Sequence, residues 1–206
     1  LVKHLDNISE EDILELNNNH YLSGKFLVAS PFMPLNEIFS KSVIYIMEHD
    51  EAGAIGLIIN HAMYINKKIL YNAFLKNADK KLPGSSEQCP IYLGGPIQTE
   101  QGFIIHSAEY GKDLLSVSET GIAVSVSSET LTKILQGSGP EKSLLVVGYT
   151  KWDSKQLEQE ISENFWIVAD SDPELIFSVK NQNKWMTALQ KLGINQNMFS
   201  GQIGHG

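Results

Sequence analysis

Imidazole, carboxylate and amide groups stand at the ends of apolar runs in this sequence, and their types define the chemistry to weigh. Glu48-His49-Asp50 sets an imidazole between two carboxylates. These are three metal-ligand types, yet in an extended chain adjacent side chains point to opposite faces, so they cannot converge without a turn. His49 alone is the candidate proton carrier, because imidazole titrates near neutral pH; its plainer role is a loop-end histidine bonded to nearby backbone. Asn60 and His106 also follow apolar runs, and polar groups at strand ends often gather around a cleft. Together with the Gly94-Gly95 turn they define a candidate pocket of His49, Asn60, Gly94, Gly95 and His106. Gly94-Gly95-Pro96 could offer backbone N–H groups to an anion, but Pro96 has none and no Lys-Ser or Lys-Thr pair follows, so a structural turn is expected.

A second constellation lies on the predicted helix over 153–164, where Gln156, Glu160 and Glu163 share a face and Glu158 lies off it. This face could bind a cation or a partner, although a solvated helix face serves as well. Trp152 and Trp166 flank the helix and could wall a ligand pocket or act as packing anchors. Trp152, Gln156 and Glu160 therefore form a candidate binding surface. Ser30 and Ser107 lie in neither a Gly-x-Ser-x-Gly elbow nor a Ser-x-x-Lys motif. Cys89 has no sequence neighbour that would lower its pKa, so a buried filler or an incidental surface thiol is expected. No metal and no cofactor are expected.

The elements that must position these groups follow from composition and periodicity. The chain has 206 residues, 42% of them hydrophobic and 19% charged, as in a soluble globule. Its net charge is -8 and all 16 basic residues are Lys, which removes the bidentate guanidinium used for phosphate and guanine. Lys67, Lys68, Lys76, Lys80 and Lys81 form the only basic cluster, and no helix-turn-helix or zinc finger is evident. Direct nucleic-acid binding is not expected. One cysteine fits a reducing compartment. No run approaches a membrane span and residues 1–12 lack a signal-like pattern, so a cytoplasmic protein without membrane contact is expected.

Apolar runs predict strands over 26–29, 42–47, 54–59, 91–93, 103–105, 144–147 and 165–168, with 144–147 central. The short polar stretch 48–53 predicts an antiparallel hairpin. Ile122, Val124 and Val126 alternate with small or polar residues, predicting a strand with one wet face. Helices are predicted after Ser9, over 66–77 with Ile69 and Leu70 on the apolar face, after Ser127 or Ser128, after the Asp153–Gln156 capping box, and around Trp185, Ala188, Leu189 and Leu192, closed by Gly193. Pro83-Gly84-Ser85-Ser86 should end the second helix, and the chain from 195 reads as a loose tail. Irregular interleaving without a βα repeat favours one mixed-sheet α+β domain over 1–206.

Several blocks carry a resemblance: 26–31, 39–46, Glu48-His49, 53–60, Tyr92-Leu93-Gly94-Gly95-Pro96, 103–107, Gly148-Tyr149, Trp152, 156–158, Glu160, Asn164, Trp166, Lys184-Trp185 and Leu192-Gly193. Together they resemble the bacterial YqgE/AlgH family over about 22–193. The resemblance implies an α+β fold with a mixed, largely antiparallel sheet curled into a pseudo-barrel, in a cytoplasmic protein of undetermined biochemistry. Some members carry the label of transcriptional regulator. Lys41 stands where the family has Arg, and Lys155 where it has Gly. The functional expectation is a non-enzymatic binding or regulatory protein with an unspecified protein or small-molecule partner. The alternatives are a small-substrate enzyme using His49 or His106 as general base, and a DNA-binding regulator.

Overall fold

The computed structural model describes residues 21–33, 38–74, 88–110 and 114–194. The strands are β1 (Lys25–Ala29), β2 (Val43–Asp50), β3 (Gly53–Ile58), β4 (Ala62–Asn66), β5 (Gln88–Leu93), β6 (Ile97–Ser107), β7 (Leu114–Val117), β8 (Ile122–Ser125), β9 (Ser143–Asp153) and β10 (Trp166–Asp170). The helices are α1 (Lys67–Phe74), α2 (Ser128–Leu135), α3 (Gln156–Ser162), α4 (Pro173–Phe177) and α5 (Asn181–Lys191). The strands join in one ten-stranded sheet of order β10-β1-β2-β3-β9-β6-β8-β7, with β4 on β5 and β5 on β9. Among the described residues only the β5–β9 pairing is parallel. The result is an α+β pseudo-barrel, the sheet curling into a half-barrel.

Strand β9 is the hub of the sheet. Its first half pairs with β5 and β6, and residues 150–153 pair with β3. Just before the change of partner, Gly148 has φ +69° and a Cβ there would lie 2.6 Å from the Gly95 carbonyl oxygen. Only glycine allows the two backbones to come so close.

Both faces of the central strands are covered, as their near-continuous apolar runs require. Phe26 and Val28 enter one core cluster with Tyr45, Phe103 and Ile105, whereas Leu27 and Ala29 enter another with Ile44, Trp152, Leu157 and Trp166. A third cluster packs Leu70 and Leu135 over Ile91, Ile104 and Leu145. Each fully buried aliphatic or aromatic side chain contributes about 1.5–3 kcal/mol.

Several expectations change. Strand β2 extends through Asp50, so His49 lies within a strand rather than a loop, and the hairpin shrinks to a turn where Asp50 Oδ1 accepts the Ala52 N–H at 2.8 Å. All of Ile122–Ser125 is buried. The expected wet face is covered because Ala123 and Ser125 share the side of Ile104, which packs against Leu135 of α2. Val126 is exposed beyond the strand end. Ile69 is also exposed, leaving Leu70 as the inward residue of α1. The helix after Ser9, Lys76, Lys80, Lys81, the 83–86 turn and the tail from 195 lie outside the described residues.

Candidate functional site

Strand alternation explains His49 directly. Glu48 and Asp50 are exposed and His49 is buried, so these three ligand types diverge. The His49 side chain is 1% exposed. Its Nδ1 accepts the Leu22 backbone N–H at 3.0 Å, and its Nε2 lies 3.0 Å from Glu158 Oε1. Because a backbone N–H only donates, Nδ1 holds the lone pair and Nε2–H donates to the carboxylate. Both ring nitrogens are committed, and the imidazole ties the 21–24 segment and α3 to β2. The orienting carboxylate of a general-base histidine is present, but its lone pair is occupied.

Of the other members of the predicted pocket, Asn60 and Gly94 lie near one another, since the Ile58 N–H donates to the Gly94 carbonyl and the Leu93 N–H to the His61 carbonyl, but they are remote from His49. Asn60 Oδ1 accepts the Val43 N–H and Nδ2 donates to the Lys41 carbonyl, both at 2.8 Å, which fixes Asn60 at the opening of β2. His49 lies six residues further along that strand, about 20 Å away. Gly94 donates its N–H to Val147 and accepts from Ile58, joining β3 to β9. A Cβ at Gly94 or Gly95 would come within 2.4 Å of the Gly148–Tyr149 backbone, so these glycines serve close chain packing. His106 sits on β6 opposite Ala123 and Ser143 and is 0% exposed. Its Nδ1 lies 3.0 Å from the Ser107 carbonyl, and Nε2 is buried without a hydrogen-bond partner. The structure thus does not gather the five residues into one pocket, because strand ends that look equivalent in sequence belong to different ends of the sheet.

The second constellation does converge. Trp152 Nε1 and Trp166 Nε1 both donate to Glu160 Oε2, at 2.8 and 2.7 Å. Gln156 Nε2 donates to Glu160 Oε1 at 2.9 Å, and Gln156 Oε1 accepts the Asp153 N–H at 3.0 Å. The two indoles meet edge to face, 6.0 Å apart at 83°, and Phe39 meets Trp166 in the same way at 5.9 Å. Strands β9 and β10 are four ladder steps apart in the sheet order, about 19 Å if the sheet were flat. The curl of the sheet, together with the reach of two indoles, closes that gap.

Helix α3 carries the shared carboxylate into place. Gln156 Oε1 accepts the Asp153 N–H, but the helix starts after Lys155, which makes no side-chain cap bond, so the expected cap at Asp153 does not form. Lys155 has φ +64°, left-handed backbone that favours glycine. This accounts for the Gly that the family resemblance places there. At the other end, Asn164 has φ +61° and Phe165 N–H bonds the Glu160 carbonyl at 2.9 Å, a Schellman closure. Glu163 pairs with Gln159 rather than with this cluster, and Glu158 points away to His49.

A recess of about 240 Å³ opens beside the indoles. Phe39, Trp152, Phe165 and Trp166 form its apolar wall, and Gln156 and Glu160 its polar side. Lys151 also lines it, with its ammonium 3.9 Å from Asp153. Lys41, in place of Arg, holds its Nζ 5.8 Å over the Trp185 ring. Cys89 packs beside the third core cluster.

Sequence reasoning missed Lys184. It is buried on α5, donates from Nζ to the Ile59 carbonyl at 3.0 Å, and lies 5.0 Å from the Tyr92 ring centroid. Burial lowers its pKa to about 8. Its spacing to Ala188 and Leu192, at i+4 and i+8, was the available signal. Among the described residues no three His, Cys, Asp or Glu side chains gather as a metal site, and no helix is long and apolar enough to cross a membrane.

Among the described residues, ten strands and five helices in this order define an α+β half-barrel with an aromatic, carboxylate-bearing recess. The chain belongs to the AlgH-like family, whose model matches residues 26–197. It is 45% identical over 186 residues to UPF0301 proteins of Rickettsia prowazekii and Rickettsia typhi, covering 90% of this chain and 96% of each relative. The solution structure of the AlgH protein from Pseudomonas aeruginosa superposes with a TM-score of 0.72 at 34% identity, over 91% of this chain and 97% of that one. A crystal structure of a Corynebacterium diphtheriae protein shares the fold, with a TM-score of 0.63 at 21% identity over 85% of this chain and 92% of its own.

Proposed function

We propose that this chain is a non-enzymatic binding protein whose ligand sits in the recess at Trp152, Gln156 and Glu160. The observation that carries this reading is the fixed carboxylate of Glu160, which accepts from two indoles and one amide beside an aromatic wall. A few oriented polar groups in an apolar concavity are what small-molecule recognition uses. The histidines support binding over catalysis. His49 has both nitrogens engaged and His106 is fully buried, so neither offers a lone pair to a substrate. A regulatory role would run through ligand or protein contact, since an acidic, Arg-free chain has no footprint for a duplex. One cysteine in 206 residues supports a cytoplasmic setting.

The test is a thermal-shift screen of metabolites, nucleotides and metal ions, because a ligand selective for the native state raises stability by mass action. Hits are then mapped on the three indole N–H resonances. Ligands of the recess shift Trp152 and Trp166 and leave Trp185, which donates to the Ala29 carbonyl. Hits that leave Trp152 and Trp166 unmoved would place binding elsewhere and refute the assignment.

A further inference from the structure

Resting on the reading of this recess as the ligand site, we propose that it receives a small organic cation, an ammonium group with short alkyl substituents. Three features on the page select this class. The first is the acceptor left over on Glu160. A carboxylate offers about four lone-pair positions, and here two on Oε2 take indole N–H groups and one on Oε1 takes Gln156. One acceptor position is left, on a carboxylate whose charge attracts an ammonium group with or without an N–H to donate.

The second is the wall. Aromatic rings attract cations through their quadrupole; four aromatic side chains line this recess, with Phe39 and Phe165 partly exposed and the two indoles buried behind them at 3% exposure each. Both indole N–H edges are turned to Glu160, so the positive edges of the rings are already neutralised. The third is the surrounding charge. Among the described residues Glu160 is the one carboxylate in the lining. The one cation among the described lining residues, Lys151, lies 3.9 Å from Asp153. An anion would face Glu160 without a compensating donor, because the indole and Gln156 donors nearest it are consumed.

The recess opens to solvent, and its volume of about 240 Å³ admits a methylated or short alkyl ammonium.

The test uses the full chain and four probes: tetramethylammonium chloride, n-butylammonium chloride, the neutral 3,3-dimethylbutan-1-ol, and sodium chloride at matched ionic strength. Binding is read from the Trp152 and Trp166 indole N–H shifts. The expected result is saturable movement of both signals by the ammonium probes, about tenfold tighter than by the neutral alcohol, with none from sodium chloride. Within the Glu160→Gln variant the ammonium probes should bind no more tightly than the alcohol, the tenfold preference being lost whatever the change in overall affinity. Alcohol binding as tight as ammonium binding would overturn the cation class and leave the recess as a binding site. Indoles unmoved by any probe would also overturn it, with the site reading then judged by the broader screen. Should Glu160→Gln fail to fold, the comparison of alcohol and ammonium on the unaltered chain decides alone.

Discussion

Replacing Glu160 by Ala removes one side chain and orphans three donors. Trp152 and Trp166 are both 3% exposed, so their indole N–H groups lose their acceptor inside the core. A buried donor left unpaired costs about 1–3 kcal/mol. Gln156 can turn to water, since it is exposed. Water entering through the recess should relieve part of the indole cost, which places Glu160→Ala near 3 kcal/mol of destabilisation. For a chain of this size that is about 6–12 °C in melting temperature. Glu160→Gln keeps an amide oxygen for the indoles and should cost about 1 kcal/mol. Urea unfolding followed by tryptophan fluorescence gives both values from midpoints at constant slope. An Ala variant within 0.5 kcal/mol of the parent would refute the claim that this carboxylate holds the two indoles together.

Three further outcomes follow from the geometry. Lys184 titrates near 8 when folded against 10.5 ordinarily, so between those values the unfolded chain holds more protons and stability should rise with pH, by about 3 kcal/mol in all. Lys184→Met should flatten that rise and, after loss of the Ile59 bond and the Tyr92 contact, stabilise the fold at pH 7 by about 1–2 kcal/mol; denaturant unfolding at pH 7 to 10.5 measures both. Lys155→Gly relieves left-handed backbone at φ +64° and should add about 1 kcal/mol in urea unfolding. His49→Ala removes a buried ring and strands the Leu22 N–H, while the half-exposed Glu158 turns to water, and should cost about 2–3 kcal/mol, with faster amide exchange at Leu22 as the local readout.

Apolar runs made the central strands and the place of β9 legible, because a strand covered on both faces must be apolar along its length. The hairpin between β2 and β3 was legible from its short connection. Strands β4 and β7 were not, since Met63, Tyr64, Leu115 and Val117 are exposed and edge strands need no core-facing alternation. Helix α4 had its signal in Asp172-Pro173, where Asp172 Oδ1 accepts the Glu174 N–H at 2.8 Å. In the site, helical spacing already placed Gln156 and Glu160 on one face. That two tryptophans from β9 and β10 meet there depends on the curl of the sheet, which no local pattern encodes. The reverse holds for His49 and Asn60: both follow apolar runs, but antiparallel pairing sends them to opposite ends of β2. The His49–Glu158 pair spans 109 residues and has no short-range signature.

The most direct measurement is a set of intermolecular nuclear Overhauser effects between a bound ligand from the screen and the side chains of the full-length chain. Contacts from the ligand to ring protons of Trp152, Trp166 and Phe39 are predicted. Contacts confined to the apolar groove of about 200 Å³ between Leu70 and Leu131, or to the surroundings of His49, would contradict the account.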